Sequence, residues 1–114
     1  MPAALALLPL ASAGQEPHGR KPAPYALLFG TMWGPDQRPL PGVEIHIRRA
    51  TEKKARWTLV SDHHGEFAQR VPPGTMDYVV WADIREKHHP PRHVEAKVHV
   101  ENDERVDFGL HLTE

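Results

Sequence analysis

Ser61-Asp62-His63-His64-Gly65-Glu66-Phe67-Ala68-Gln69-Arg70-Val71-Pro72-Pro73-Gly74-Thr75-Met76-Asp77-Tyr78-Val79-Val80 decides how the chain is read. Asp62 to Gly65 has the makings of a tight turn: an Asp that bonds nearby backbone, then a Gly free to take positive φ. A short strand follows, with Phe67, Gln69 and Val71 on one face. Pro72-Pro73-Gly74 stops it, because proline cannot donate into a sheet ladder. A second strand is predicted from Met76 to Ala82. Two strands between such strong turn signals predict a β-hairpin.

Working outward, Tyr25 to Trp33 alternates Tyr25, Leu27, Phe29 and Thr31 with Ala26, Leu28, Gly30 and Met32. Both faces are apolar, as in a strand covered on both sides for part of its length. Loop residues from Gly34 to Gly42 follow. Val43, Ile45 and Ile47 then point inward and Glu44, His46 and Arg48 outward, the cleanest period-2 pattern in the chain. Arg56 to Ser61 is a third strand. Asp83 to Arg92 is a charged loop ending in prolines. His93 to Val100 has Val94, Ala96, Val98 and Val100 inward. Arg105 to Leu112 has Val106, Phe108, Leu110 and Leu112 inward. Seven short strands without a helix, each with one apolar face, predict an all-β, seven-stranded antiparallel two-sheet sandwich.

Composition narrows the function classes. The chain has 114 residues, 39% of them hydrophobic and 25% charged, enough for one packed domain. A net charge of −1 gives no electrostatic case for nucleic acid or an anionic membrane. Of the 12 prolines, the seven within the expected domain sit at predicted turns and loops and argue against helices. With no cysteine, disulfides, Fe–S clusters, thiolate zinc sites and Cys nucleophiles are excluded.

Residues 1–13 differ from the rest. Pro2 to Ala13 carries no charge, Leu5 to Leu10 is apolar, and Ala11-Ser12-Ala13 has the small-x-small form of a secretory cleavage site. A signal peptide over 1–13 is expected, with cleavage after Ala13. The run is shorter than the roughly 20 apolar residues of a membrane span, so no membrane insertion is expected. Residues 14–24 read as a polar, proline-rich linker, and 25–114 as the folded domain.

The stretches Arg38-Pro39-Leu40-Pro41-Gly42-Val43-Glu44-Ile45, Ser61 to Phe67 and Val71 to Val80 occur in the order seen in the carboxypeptidase regulatory-like domain, which the chain resembles over about residues 25–112. The resemblance implies a transthyretin-like (prealbumin-like, Ig-like) sandwich. It also implies an accessory, mostly non-catalytic role outside the cytoplasm, beside peptidases, transporters or surface proteins. His64, Met76-Asp77 and the 83–92 loop depart from the family's usual pattern. In physical terms Gly42 lets the chain turn into its next strand, and Phe67 and Tyr78 are expected to meet as a cross-strand aromatic pair.

Nine histidines invite a metal reading. Two pairs, His63-His64 and His88-His89, lie on predicted loops, and His93 follows the second. Two ligands on one strand face need i, i+2 spacing, and no His-x-His occurs, so no metal site and no cofactor is expected. Ser61, Asp62 and His63 are sequence neighbours at a strand end and cannot line up as a triad. The Tyr-Arg-Gly-Ser ending of 5-hydroxyisourate hydrolase, which shares the transthyretin-like fold, is absent, and no enzyme is expected. Trp81 shares a face with Val79, opposite Tyr78 and Val80, which leaves it exposed or under the 83–92 loop. The partner-binding residues expected are Trp81, Arg85, Glu86, Lys87, His88 and His89. The partner would be another envelope or secreted protein, and the chain a periplasmic or extracellular monomer. Two alternatives stand beside this reading: a periplasmic His-rich Zn or Cu binder acting through residues 86–93, and a carbohydrate-binding module stacking sugar on Trp81 or Trp57.

Overall fold

A computed structural model describes residues 23–113. The expected signal segment 1–13 and the linker as far as residue 22 lie outside them. Seven strands follow in order: β1 (Ala26–Trp33), β2 (Glu44–Arg49), β3 (Trp57–Val60), β4 (Glu66–Val71), β5 (Met76–Ile84), β6 (Arg92–Val100) and β7 (Arg105–His111). They form two sheets, β4-β1-β7 and β3-β2-β5-β6. The expected all-β sandwich is present, with one ladder of different sense. β1 and β7 run parallel, from Leu27 opposite Arg105 to Trp33 opposite His111. Nothing short joins these two strands, so no tight turn forces them antiparallel.

The central stretch departs from the hairpin expected of it. β4 pairs with β1, and β5 pairs with β2 and β6, so Pro72-Pro73-Gly74 carries the chain from one sheet to the other. Turn residues establish that the chain reverses. Whether it returns beside itself or across the core depends on which apolar faces must meet. Here Phe67 and Val71 face Tyr78, Val80 and Ala82 through the interior, all of them buried. The expected Phe67–Tyr78 pair is replaced by one pair per layer. Phe67 packs edge-on against Phe108 of β7, and Tyr78 lies 6.0 Å from Trp57 of β3.

Leu28, Met32, Ile45, Ile47, Tyr78, Val80, Val100 and Leu110 form the middle of the core. On the outward side of β1, Leu27, Phe29 and Trp33 are half-buried. Long side chains cover part of this side. The Arg105 guanidinium sits 4.5 Å over Phe29, and that of Arg70 sits 4.4 Å over Tyr25. The two-sided apolar pattern of β1 is therefore met on one side by the core and on the other by arginine stems.

Strand directions sort the connections onto two ends. The β1–β2 loop, the β3–β4 turn, the β5–β6 loop and the last residue of β7 share one end. Both histidine pairs and His111 thus belong to the same end of the sandwich.

Candidate functional site

β5 and β6 are longer than the sequence pattern suggested. Asp83 pairs with His93 and Ile84 with Arg92, which reduces the expected 83–92 loop to Arg85–Pro91. Period-2 alternation hid this, because charged side chains fill the outward positions right up to the loop. Arg85, Glu86, Lys87, His88 and His89 are all exposed. His88 takes φ 69°, the His89 N–H donates to the Glu86 carbonyl at 3.2 Å, and Arg92 Nη2 donates to Glu86 Oε1 at 2.9 Å. His89, Pro90 and Arg92 line a depression of about 420 Å³ with Pro35 of the β1–β2 loop. Glu86 is held by Arg92, and both ring nitrogens of His93 are engaged by Asp83 and Glu95.

Trp81 points outward from the four-stranded sheet, half-buried, and its cover comes from β2. His46, its register partner, stacks on it at 5.3 Å, and the Arg48 guanidinium lies 6.0 Å from the ring. Glu44, Asp77, Asp83, Glu95 and Glu101 belong to this same outward face, with Arg48 and Lys97 as its cations. No element covers the face among the described residues. Trp57, the other expected stacking residue, faces inward beside Tyr78 and is half-buried.

Two histidines of β6 are each held between two carboxylates. His93 Nδ1 lies 2.6 Å from Asp83 Oδ1 and its Nε2 2.8 Å from Glu95 Oε1. His99 repeats this with Asp77 at 2.6 Å and Glu101 at 2.9 Å. Hydrogen bonding to Glu95 and then Asp83 raises the His93 pKa above its ordinary value. Glu101 and then Asp77 do the same for His99. The signal was in the sequence as His-x-Glu at 93/95 and 99/101. A search for His-x-His alone passes over it.

Ser61 is structural. Its hydroxyl donates to the Leu40 carbonyl at 2.8 Å and accepts from the Val43 N–H at 2.9 Å, 3% exposed. Beyond it the β3–β4 turn brings Asp62, His64 and Glu66 together, with one donor atom of each within 4.8 Å of the others. Thr31, Trp33, Pro39, His63, His64 and Glu66 line an open depression of about 550 Å³ there.

No family model matches the chain, and no curated protein matches it. Among solved structures it is similar to catechol 1,2-dioxygenase from Acinetobacter sp. ADP1 inhibited by bound mercury. The TM-score is 0.59 over 87% of this chain and 55% of that one, at 12% identity. The chain thus spans about half the length of that enzyme chain. At this identity the likeness shows the fold alone. No helix among the described residues is long and apolar enough to cross a membrane.

Proposed function

We propose that the chain is an exported, non-catalytic interaction module. It holds a protein partner on the outward face of the β3-β2-β5-β6 sheet and on the adjoining β5–β6 tip. The observation that carries this reading is Trp81: a half-buried aromatic inside a charged rim, on a face that no other element covers among the described residues. Buried aromatics ringed by polar groups are where protein interfaces concentrate their binding energy. Even with His93 and His99 protonated beside Arg48 and Lys97, the five carboxylates outnumber the cations on this face, so the partner presents a basic rim. Arg85, Glu86, Lys87, His88 and His89 extend the surface beyond the strand ends.

The carbohydrate reading is weaker for a geometric reason. A sugar ring needs an open aromatic face, and His46 and Arg48 already lie against Trp81. Support for a non-catalytic role comes from Ser61, whose hydroxyl is spent on two backbone groups. The resemblance to carboxypeptidase regulatory-like domains supports an accessory role outside the cytoplasm. The apolar Leu5 to Leu10 run and Ala11-Ser12-Ala13 support export.

The test compares the wild-type domain, Trp81→Ala, and a control altered on the other sheet, Arg105→Ala, as baits on the native envelope fraction. A partner held by wild type and control and lost from Trp81→Ala is expected, with an affinity that falls as salt rises. Equal retention by all three overturns the reading. Mass spectrometry of the mature protein should find its N-terminus near Gly14; intact Met1 on cytoplasmic material removes the exported half of the proposal.

A further inference from the structure

We propose that Asp62, His64 and Glu66 form a binding site for a first-row divalent transition metal at the β3–β4 turn. The donors are two carboxylates and one imidazole, a mixed oxygen and nitrogen set that suits Zn²⁺, Ni²⁺ or Cu²⁺. Their donor atoms already lie within 4.8 Å of one another. A tetrahedral Zn²⁺ with ligands at about 2.1 Å spaces them roughly 3.4 Å apart. Side-chain rotations of about an ångström and a half therefore close the site.

The backbone beneath the donors is fixed before any metal arrives. Asp62 Oδ1 accepts the N–H groups of His64 and Glu66, each at 2.9 Å, which orients the carboxylate and leaves its second oxygen free. Asp62 also donates its N–H to the Glu66 carbonyl at 2.9 Å. The turn is pressed onto β1: Gly65 accepts from the Met32 N–H at 2.7 Å, and a Cβ at Gly65 would stand 2.8 Å from Pro39 Cβ. Glu66 is held in the ladder opposite Thr31. Ligands on a rigid frame lose little entropy on coordination.

A second observation concerns what stands beside the triad. His63 packs on His64 with ring centroids 4.0 Å apart and lines the same open depression, so a further imidazole adjoins the donors. Trp33 forms part of the wall, which gives the site an optical reporter. This arrangement is independent of the outward sheet face assigned above to a protein partner.

The experiment titrates untagged domain with Zn²⁺ by calorimetry and with Cu²⁺ by Trp fluorescence and ¹H–¹⁵N spectra. One equivalent is expected to bind, with Cu²⁺ quenching Trp33 and broadening amides of residues 61–67 and 31–33 first. Asp62→Asn keeps the oxygen that accepts the turn bonds and removes the charge; His64→Ala and Glu66→Gln leave the backbone intact. Each should weaken binding at least tenfold with an unchanged fold by circular dichroism. The double variant His88→Ala, His89→Ala should bind like wild type. Absence of stoichiometric binding, survival of binding in His64→Ala, or its loss in the His88/His89 variant overturns the proposal.

Discussion

Phe67 and Phe108 meet edge to face, ring centroids 5.7 Å apart, over the Cα of Gly30, which sits between them in the β4-β1-β7 sheet. A Cβ on Gly30 would lie 2.3 Å from Phe67 Cζ and 2.9 Å from Phe108 Cζ. The glycine's missing side chain is the space that the two rings occupy. Gly30→Ala should destabilise the domain by about 1–3 kcal/mol through overpacking. In a Phe67→Leu background the same change should cost much less, since neighbours that share a space couple. Urea melts of the four proteins check this. Equal costs in both backgrounds would mean that the rings do not lie over Gly30.

Ser61 joins β3 to the Leu40–Val43 segment through its hydroxyl, and also through its own N–H to the Val43 carbonyl at 2.9 Å. Ser61→Ala strands a part-buried N–H and carbonyl, for a loss of about 1–3 kcal/mol. Thr58→Ala, on the exposed side of β3, should stay within about 0.5 kcal/mol. The two are compared in denaturant with the slope held common.

His93 and His99 predict a dependence on pH. Both have folded-state pKa values raised above the ordinary 6.5, by Glu95 and Asp83 in one case and by Glu101 and Asp77 in the other. A raised pKa means that the folded state holds its proton more tightly than the unfolded chain. That stabilisation is complete below pH 6.5 and is lost as pH rises through the folded values. The melting temperature should therefore fall as pH rises above about 6.5. Replacing both histidines with Gln should flatten this part of the profile. A profile that keeps its slope in the double variant assigns it to other groups.

The β5–β6 loop should be dispensable for folding. The ion pair between Arg92 and Glu86 is at the surface and is worth at most about 1 kcal/mol. Replacing residues 86–90 with a short Gly-containing turn should leave hydrogen-exchange protection in β5 and β6 unchanged. Lost protection at Val80 or Ala82 would show that the loop helps to set the strand register.

The strands were legible in the sequence because alternation is local, and Ile45, Ile47, Val98 and Leu110 all face inward as their spacing required. The pairing was less so. Pro72-Pro73-Gly74 announces a reversal in both a hairpin and a crossover, and only the burial of Phe67 and Tyr78 on facing sheets distinguishes the two. The β5–β6 loop was overestimated because Asp83 and Arg92 look like loop residues until their cross-strand partners are known. The carboxylate–histidine contacts needed that same information. His99 gives no hint of Asp77, 22 positions away, until β5 and β6 are laid side by side.

The parallel β1–β7 ladder has a mechanical consequence. The chain enters the sheet at the start of β1 and leaves it at the end of β7, and these points are separated by the length of the ladder, about 20 Å for six residue steps. Tension between the two ends pulls the first and last strands past one another lengthwise. The hydrogen bonds between them are then loaded together in shear, whereas antiparallel terminal strands would peel apart one bond at a time. A pulled domain of this topology should hold until the ladder yields at once. Stretched between neighbours in a longer chain, it would act as a stiff link and not as a spring.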